Sequence, residues 1–336
     1  MGSMQLPSLA EILERSHVVR LPLSVRFRGV TEREALLIDG PTGWGEFSPF
    51  LEYGAAESSR WLACALEAAW EGLPAPVRDA VPVNATVPAV AAADVGRVLA
   101  RYDGPGTVKV KVAEAGQELA DDVARVRAVR AALPHANLRV DANQGWGHSD
   151  AVAALEALAP FELEYAEQPV AGIEGLARLR EEVARRGLGV AIAADESVRK
   201  AEDPLAVARA GAADLIVVKA QPLGGVRAAL DIVREAGLPA VVSSALDTSV
   251  GLRIGAALAA ALPSLPYACG LGTGSLFTAD VASPAYVARG GELDLRTVAA
   301  DPELLAAHRA PAEREARWRK RVAAAYSVLA GGVVSA

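Results

Sequence analysis

Lysine is nearly missing from this chain. Of 34 Lys+Arg residues only five are lysine: Lys109, Lys111, Lys200, Lys219 and Lys320. Arginine carries the positive charge elsewhere, and arginine stays protonated, so it cannot act as a proton-transfer base, whereas a desolvated lysine can. Cysteine is confined to Cys64 and Cys269, which fit no metal spacing and no disulfide framework and read as reduced, buried thiols of a cytoplasmic protein. Histidine occurs at His17, His135, His148 and His308, none at an expected strand end, which argues against a zinc hydrolase and against a His–Asp base. No run of basic residues occurs and the net charge is −7, so neither nucleic acid nor an anionic membrane is an expected partner. No apolar stretch approaches the roughly 20 residues of a membrane span. The opening Met1-Gly2-Ser3-Met4 lacks a signal-peptide core; it reads as extra residues before a native Met4 and is set aside.

What is present is a regular rhythm. The chain has 336 residues, 52% of them hydrophobic, enough for one barrel and a smaller domain. Near the start, VRFRGVTEREALLIDGPTGWGEFSP reads as strand, turn, strand, with the turn at Gly40 to Gly43, and SSRWLACALEAAW as a helix. From Val81 onward, short apolar strands alternate with amphipathic helices: VPVNATV, TVKVKVA, NLRVDAN, LEYAEQP, VAIAADES, DLIVVKAQP, AVVSSAL and YACGLGT. Between them ELADDVARVRAVRAAL places Leu119, Val123, Val126 and Leu133 on one face. Continuous rather than alternating strands imply a parallel sheet covered by helices, and eight of them imply a closed barrel. No GxGxxG follows the first strand, against a dinucleotide fold. The expected architecture is α/β: residues 4–80 form an α+β cap, residues 81–290 a modified (β/α) barrel, and residues 291–336 a helical segment returning to the cap or barrel wall.

Barrel enzymes carry their chemistry at the carboxyl ends of the strands. Those ends supply Lys109 and Lys111, then Asp141, Glu167, Asp195 and Lys219, separated from Lys111 onward by 30, 26, 28 and 24 residues. Each interval is one strand-plus-helix repeat, so equivalent heights on successive strands are expected. Lys109 and Lys111 share a strand face; if the flanking valines face the helices, both amines enter the barrel. Mutual repulsion and burial then make one of them a candidate general base. Any one of the three acids alone reads equally well as a helix N-cap, but three in phase do not. Three buried carboxylates need a cation, and oxygen ligands without histidine favour Mg²⁺, with Mn²⁺ as a substitute, over zinc. Spacing leaves open whether Asp195 or Glu196 is the ligand. A paired-carboxylate glycosidase has no need of three inward lysines. A Schiff-base aldolase would be trapped by borohydride, and a metal-binding barrel without catalysis would not need the lysines.

The set K-x-K, D-A-N, E-Q-P, D-E-S and a later strand lysine resembles the enolase superfamily in its muconate-lactonising subgroup, over nearly the whole chain. The resemblance implies a (β/α)7β barrel with an N-terminal cap, Asp141, Glu167 and Asp195 as metal ligands, Lys111 as proton-abstracting base, Lys109 as the neighbour that lowers its pKa, and Lys219 on the opposite substrate face. Within the subgroup, LRVDANQGW, VVSSALDTSVGL, GLGTG and GEFSPFLEYGAAES resemble the dehydratases of menaquinone biosynthesis. This implies a small carboxylate substrate and syn dehydration of 2-succinyl-6-hydroxy-2,4-cyclohexadiene-1-carboxylate, with Arg139, Asn143, Ser243, Ser244, Gly272 and Thr273 at or near the substrate. The alternative within the subgroup is 1,1-proton transfer on an N-acylamino acid. Dipeptide epimerases carry Asp-x-Asp at the last strand, where this chain has GLGTGS. The cap segments Leu21 to Arg28 and Phe47 to Ala55, with Phe47, Phe50, Leu51 and Tyr53, are the expected covers. Lys200 and Lys320 are expected to be surface charges.

Overall fold

A computed structural model describes residues 6–27, 29–198 and 203–334, so Arg28 and Lys200 lie outside the described residues. Helix α1 (Leu9–Glu14) leads into an antiparallel sheet of β1 (Ser16–Phe27), β2 (Val30–Asp39) and β3 (Trp44–Phe47), in that order. Helix α2 (Ala55–Leu66) continues into a π-helical turn at Glu67–Glu71. The apolar run ALLI of β2 is explained by burial on both faces. Leu36 and Ile38 pack with Phe47, Trp61, Leu62 and Trp318, while Ala35 and Leu37 face the barrel's core. The described part of the expected cover Leu21 to Arg28, Leu21–Phe27, is the second half of β1: its backbone pairs with β2 as far as Pro22 and again at Phe27, with an irregularity between.

Next come β4 (Ala80–Pro82), β5 (Ala85–Val87), α3 (Val95–Leu99), β6 (Thr107–Lys111), α4 (Leu119–Ala132), β7 (Asn137–Asp141), α5 (His148–Leu158), β8 (Leu163–Glu167), α6 (Ile173–Arg186), β9 (Ala191–Ala194), α7 (Asp203–Arg209), β10 (Leu215–Val218), α8 (Ala220–Leu223), α9 (Val226–Ala236), β11 (Ala240–Val242) and α10 (Ser249–Ala261). Strands β5 to β11 form a parallel sheet in sequential order. Residues Cys269 and Gly270 close it, bridging in parallel to Val83 on one side and Ser243 on the other. Seven strand–helix units and a final short strand make the (β/α)7β barrel. The expected first strand is split: β5 enters the barrel, while β4 pairs antiparallel with β12 (Glu292–Asp294). The chain ends in α11 (Pro302–Ala307) and α12 (Ala312–Val334), and Trp318, Val322 and Ala325 of α12 belong to the cap's apolar cluster.

The barrel strands read as continuous because their outward residues, such as Val108, Val110, Leu138, Val140, Ile216 and Val218, pack under the helices. Their inward residues fill the interior with Tyr165, Ala193, Leu215, Val217 and Val241. Helix α4 buries Val126 as its apolar spacing suggests, but its inward face is rotated from the one expected. Val126 and Val129 are buried together with Asp122 and Arg125, whereas Val123 and Leu133 are half-buried. The cause is a buried ion pair, Arg125 Nη1 to Asp122 Oδ1 at 2.8 Å, which needs that face.

Candidate active site

The β6–β7–β8 ladder places Lys111 beside Asp141 and Asp141 beside Glu167. Glu167 in turn pairs with Ala193, so Asp195 stands one same-face step further along β9, just beyond its end. Lys219 follows β10 in the same way. Strand tilt in a closed barrel makes register climb around the ring, so equal height does not mean equal register. Lys219 lies four strands on from Lys111 in an eight-stranded ring, so the two amines approach the mouth from opposite walls.

Each lysine meets an acid. Lys109 Nζ lies 2.9 Å from Glu167 Oε1 and 3.2 Å from Asp141 Oδ2. Lys111 Nζ donates to Asp141 Oδ2 at 2.5 Å and to Asn143 Oδ1 at 2.7 Å. Lys219 Nζ donates to Asp195 Oδ1. Burial disfavours the charge of Lys109, but Glu167 and Asp141 outweigh it and hold the ammonium above the ordinary lysine range. Lys111 is shifted down, because burial, aided by the charge of Lys109, exceeds what Asp141 returns. Asp141 is held well below the usual carboxylate range, since Lys111 and Lys109 together overcome its burial. Glu167 is pushed up to about 8, by burial first and then by the charge of Asp141.

Loop backbones set these side chains. Asn143, Gln144 and Gln168 all have left-handed backbones, with φ of 44°, 66° and 38°, which turn the chain sharply past the strand ends. Gln168 is fully buried, and its Oε1 accepts from the Asp195 and Ser197 amides at 3.0 and 3.1 Å while its Nε2 donates to Ser197 Oγ at 3.0 Å. It thus fixes the backbone that presents Asp195. From sequence, Gln168 had no role of its own beyond its place in the E-Q-P motif, next to the expected ligand Glu167. Arg125 was likewise missed: it donates to the Lys111 carbonyl at 2.8 Å and the Val90 carbonyl at 2.6 Å, holding the end of the lysine strand.

A chamber of about 30 Å³ is walled by Lys109, Lys111, Asp141, Asn143, Asp195, Lys219, Ser243, Ser244, Thr273 and Gly270, with Phe27, Ala245 and Leu246 as its apolar side. Ser244 Oγ and Thr273 Oγ1 are 2.7 Å apart. A vestibule of about 780 Å³ adjoins it; Lys219 and Ala245 line both, and Phe50 and Tyr53 line the vestibule. Two expected substrate contacts fall elsewhere. Arg139 is fully buried beneath the carboxylates, donating to Glu164, to Tyr165 Oη at 3.0 Å and to the Ala268 carbonyl at 2.7 Å, because the barrel interior closes over its strand position. Gly272 packs on the Asn84 carbonyl, where a Cβ would come within 2.3 Å, and Gly270 takes the chamber wall instead. Phe47 is buried edge-to-face on Trp318, and Leu51 is exposed, so of the four expected covers only Phe50 and Tyr53 face the site. Lys320 is exposed.

Among the described residues no three His, Cys, Asp or Glu side chains are grouped as ready ligands for one ion; the acids are turned to lysines. Their chemistry nevertheless fits a divalent cation. All donors are oxygens, and Glu167 is raised by burial first and then by the charges of Asp141 and Asp195 against the two lysines, so a cation among the three acids would be favoured. No helix among the described residues is long and apolar enough to cross a membrane.

A barrel with lysines on opposite walls and acids between them, under an α+β cap, is matched by known families. Residues 91–299 match the enolase C-terminal domain-like family and residues 18–69 the enolase N-terminal domain-like family. The chain belongs to the enolase superfamily. Muconate lactonizing enzyme from Pseudomonas putida superposes with a TM-score of 0.73 over 88% of this chain and 98% of that one, at 21% identity, a likeness of fold. Within the superfamily the chain belongs with the o-succinylbenzoate synthases. It is 57% identical to the o-succinylbenzoate synthase of Mycolicibacterium smegmatis, over 96% of this chain and 98% of that protein. It is 54% identical to that of Mycobacterium marinum, over 96% of each.

Proposed function

We propose that this chain is a lyase that dehydrates 2-succinyl-6-hydroxy-2,4-cyclohexadiene-1-carboxylate to o-succinylbenzoate, with Lys111 as the base. The placement of Lys111 and Lys219 on opposite walls, with Asp141, Glu167 and Asp195 between them, carries the assignment of roles. Asp141, Glu167 and Asp195 would hold Mg²⁺, or Mn²⁺ in its place. When bound, the ion supplies positive charge to the substrate carboxylate as that group gains electron density.

Lys111 takes the proton alpha to the carboxylate, and the C–H electrons move into the carboxylate to give an enediolate. Asp141 is the main group favouring the Lys111 ammonium. With its charge drawn to a bound ion and away from Lys111, Asp141 would leave burial and the charge of Lys109, against Glu167, to favour the free amine. Lys219 presents its ammonium to the opposite face of the enediolate and offsets the charge. The enediolate then collapses, the C–O bond at the ring hydroxyl breaks, and Lys111 returns its proton to that hydroxyl, which leaves as water. One base serving one face makes the elimination syn, and the ring becomes aromatic. Ser243, Ser244 and Thr273 offer hydroxyls to the substrate's polar arm.

The test is turnover of the cyclohexadiene with and without Mg²⁺, in wild type and Lys111→Ala, followed by the aromatic absorbance of the product. Loss of a general base lowers kcat by roughly 10²–10⁴-fold. Full activity of Lys111→Ala would falsify the base assignment. Alpha-deuteration of an N-acylamino acid in D₂O without any dehydration of the cyclohexadiene would favour 1,1-proton transfer instead.

A further inference from the structure

Leu246 has a left-handed backbone, φ 64°, although it is neither glycine nor asparagine. A branched residue persists there only when its surroundings impose it, and such positions cluster at functional sites. Leu246 lines the catalytic chamber, where Phe27, Ala245 and Leu246 are the apolar wall. Part of what fixes the conformation comes from the cap. Arg33 of β2 is buried and reaches across the domain boundary, donating from Nε to the Leu246 carbonyl at 3.0 Å and from Nη2 to the Ala245 carbonyl at 3.3 Å. The same Nη2 donates to the Ser48 carbonyl, and the guanidinium stacks 4.4 Å from the Phe50 ring centroid. From the barrel side, Asp247 Oδ2 accepts from the Ala245 amide at 3.2 Å and from Gln221 Nε2 at 2.9 Å. The strap sits on the seam between the two cores, with Ala245 in the cap's apolar cluster and Leu246 in the barrel's.

We propose that Leu246 is a specificity-determining residue and Arg33 its positioning residue: the cap, through Arg33, holds the Leu246 side chain against the substrate's ring, so that a flat cyclic carboxylate is accepted over a flexible acyclic one. This rests on the dehydration reading above. Arg33 also ties the strap to Ser48 and Phe50, and Phe50 lines the vestibule, so the same guanidinium sets the ring wall and the approach to it. A wall residue that touches the ring in ground state and transition state alike acts through KM rather than kcat.

The experiment compares wild type with Leu246→Ala, Leu246→Gly and Arg33→Met in the Mg²⁺ enzyme. Three quantities are read: kcat and KM for the cyclohexadiene, the Kd of o-succinylbenzoate by calorimetry, and alpha-proton exchange of N-succinylphenylalanine in D₂O. Leu246→Gly removes the side chain while relieving the left-handed backbone, so it keeps the test open if Leu246→Ala folds poorly. Both Leu246 variants are expected to raise KM and Kd by about tenfold or more, the range for apolar groups removed from a pocket, with kcat within about threefold. Exchange relative to dehydration rises in the same variants, and Arg33→Met follows them in direction. Unchanged KM, Kd and exchange ratio in Leu246→Gly, or a fall in kcat at constant KM in Arg33→Met, overturns the proposal. Absence of dehydration in the wild type would instead sink the functional reading, and the two failures are therefore separable.

Discussion

Replacing Arg125 by methionine probes how the strand that carries Lys109 and Lys111 is held. Arg125 is 1% exposed and pairs with Asp122, which is 2% exposed. Its guanidinium donates to Asp122 Oδ1 and the Lys111 carbonyl, both at 2.8 Å, to the Val90 carbonyl at 2.6 Å, and to Gln117 Oε1. Methionine matches the stem but leaves two buried carbonyls and a buried carboxylate without that donor. Breaking a buried pair from one side costs about 3–5 kcal/mol, and the stranded carbonyls fall within that figure rather than adding to it.

Asp122 is already shifted up, mainly by burial, and Arg125 is among the groups that pull it back. Without Arg125 the shift grows. A carboxyl whose folded pKa is raised loses stability as pH climbs through its unfolded value, about 3.9, toward the folded one, so the variant's penalty is larger at about pH 7 than at about pH 3. Urea unfolding with an unchanged m-value measures the cost. In Asp122→Asn/Arg125→Met no charge is left buried, so the double variant should fall short of the summed singles by about 1–3 kcal/mol. A single-variant cost under about 1 kcal/mol, or strict additivity, would refute the reasoning.

Three further outcomes are expected. EDTA should abolish dehydration and Mg²⁺ restore it; Mg²⁺ at a hundred times its Kd should also raise folded-state stability by about 2.7 kcal/mol in thermal melts, an effect lost in Asp195→Asn. Glu34 accepts from Trp318 Nε1 at 2.7 Å and Arg317 Nη2 at 2.9 Å, and these bonds and Arg314 outweigh burial and hold it below its usual pKa. Its contribution is therefore present above about pH 4.3 and lost below it: Glu34→Gln should cost about 1–3 kcal/mol at pH 7, with wild type and variant converging as pH falls toward 3 in urea titrations. At Gly45 a Cβ would come within 2.1 Å of the Ala65 carbonyl oxygen, so β3 and α2 touch backbone to backbone there; Gly45→Ala should lose about 1–3 kcal/mol by calorimetry, and a neutral result would mean the helix shifts freely.

The barrel was legible because its signal is local and repeated. Valine-rich strands at a regular interval leave little choice of architecture, and the phase of Lys111, Asp141 and Glu167 survives directly as ladder register. What escaped the sequence depends on long-range packing. Arg139 lies on the same strand face as Asp141, and spacing cannot tell that one layer opens to the chamber while the layer below is sealed by Tyr165 and Glu164. On α4, apolar spacing pointed to Leu119, Val123, Val126 and Leu133, of which only Val126 is fully buried, because nothing in a helical pattern announces that an Asp–Arg pair will share the buried part. Strand β1 was expected to begin only at Val25, since Pro22 interrupts the apolar pattern before it, whereas the backbone is held by β2 on both sides of the irregularity.

Lys109 and Lys111 show how far spacing alone can go. They share a strand, a face and nearly the same burial, so residue pattern offers no reason to assign them different states. Partners do. Lys109 sits between two carboxylates, Glu167 at 2.9 Å and Asp141 at 3.2 Å, and is held as the ammonium. Lys111 has one carboxylate, one neutral amide and the Phe27 ring 5.6 Å from its nitrogen, and is shifted the other way. The pair thus divides into an amine held charged and one shifted toward its neutral form, and the charge of the first contributes to the shift of the second, as the proposed base role of Lys111 requires. Arginine could replace the first by charge but not by shape, and could not replace the second at all, which is why a chain so sparing of lysine spends two of its five here.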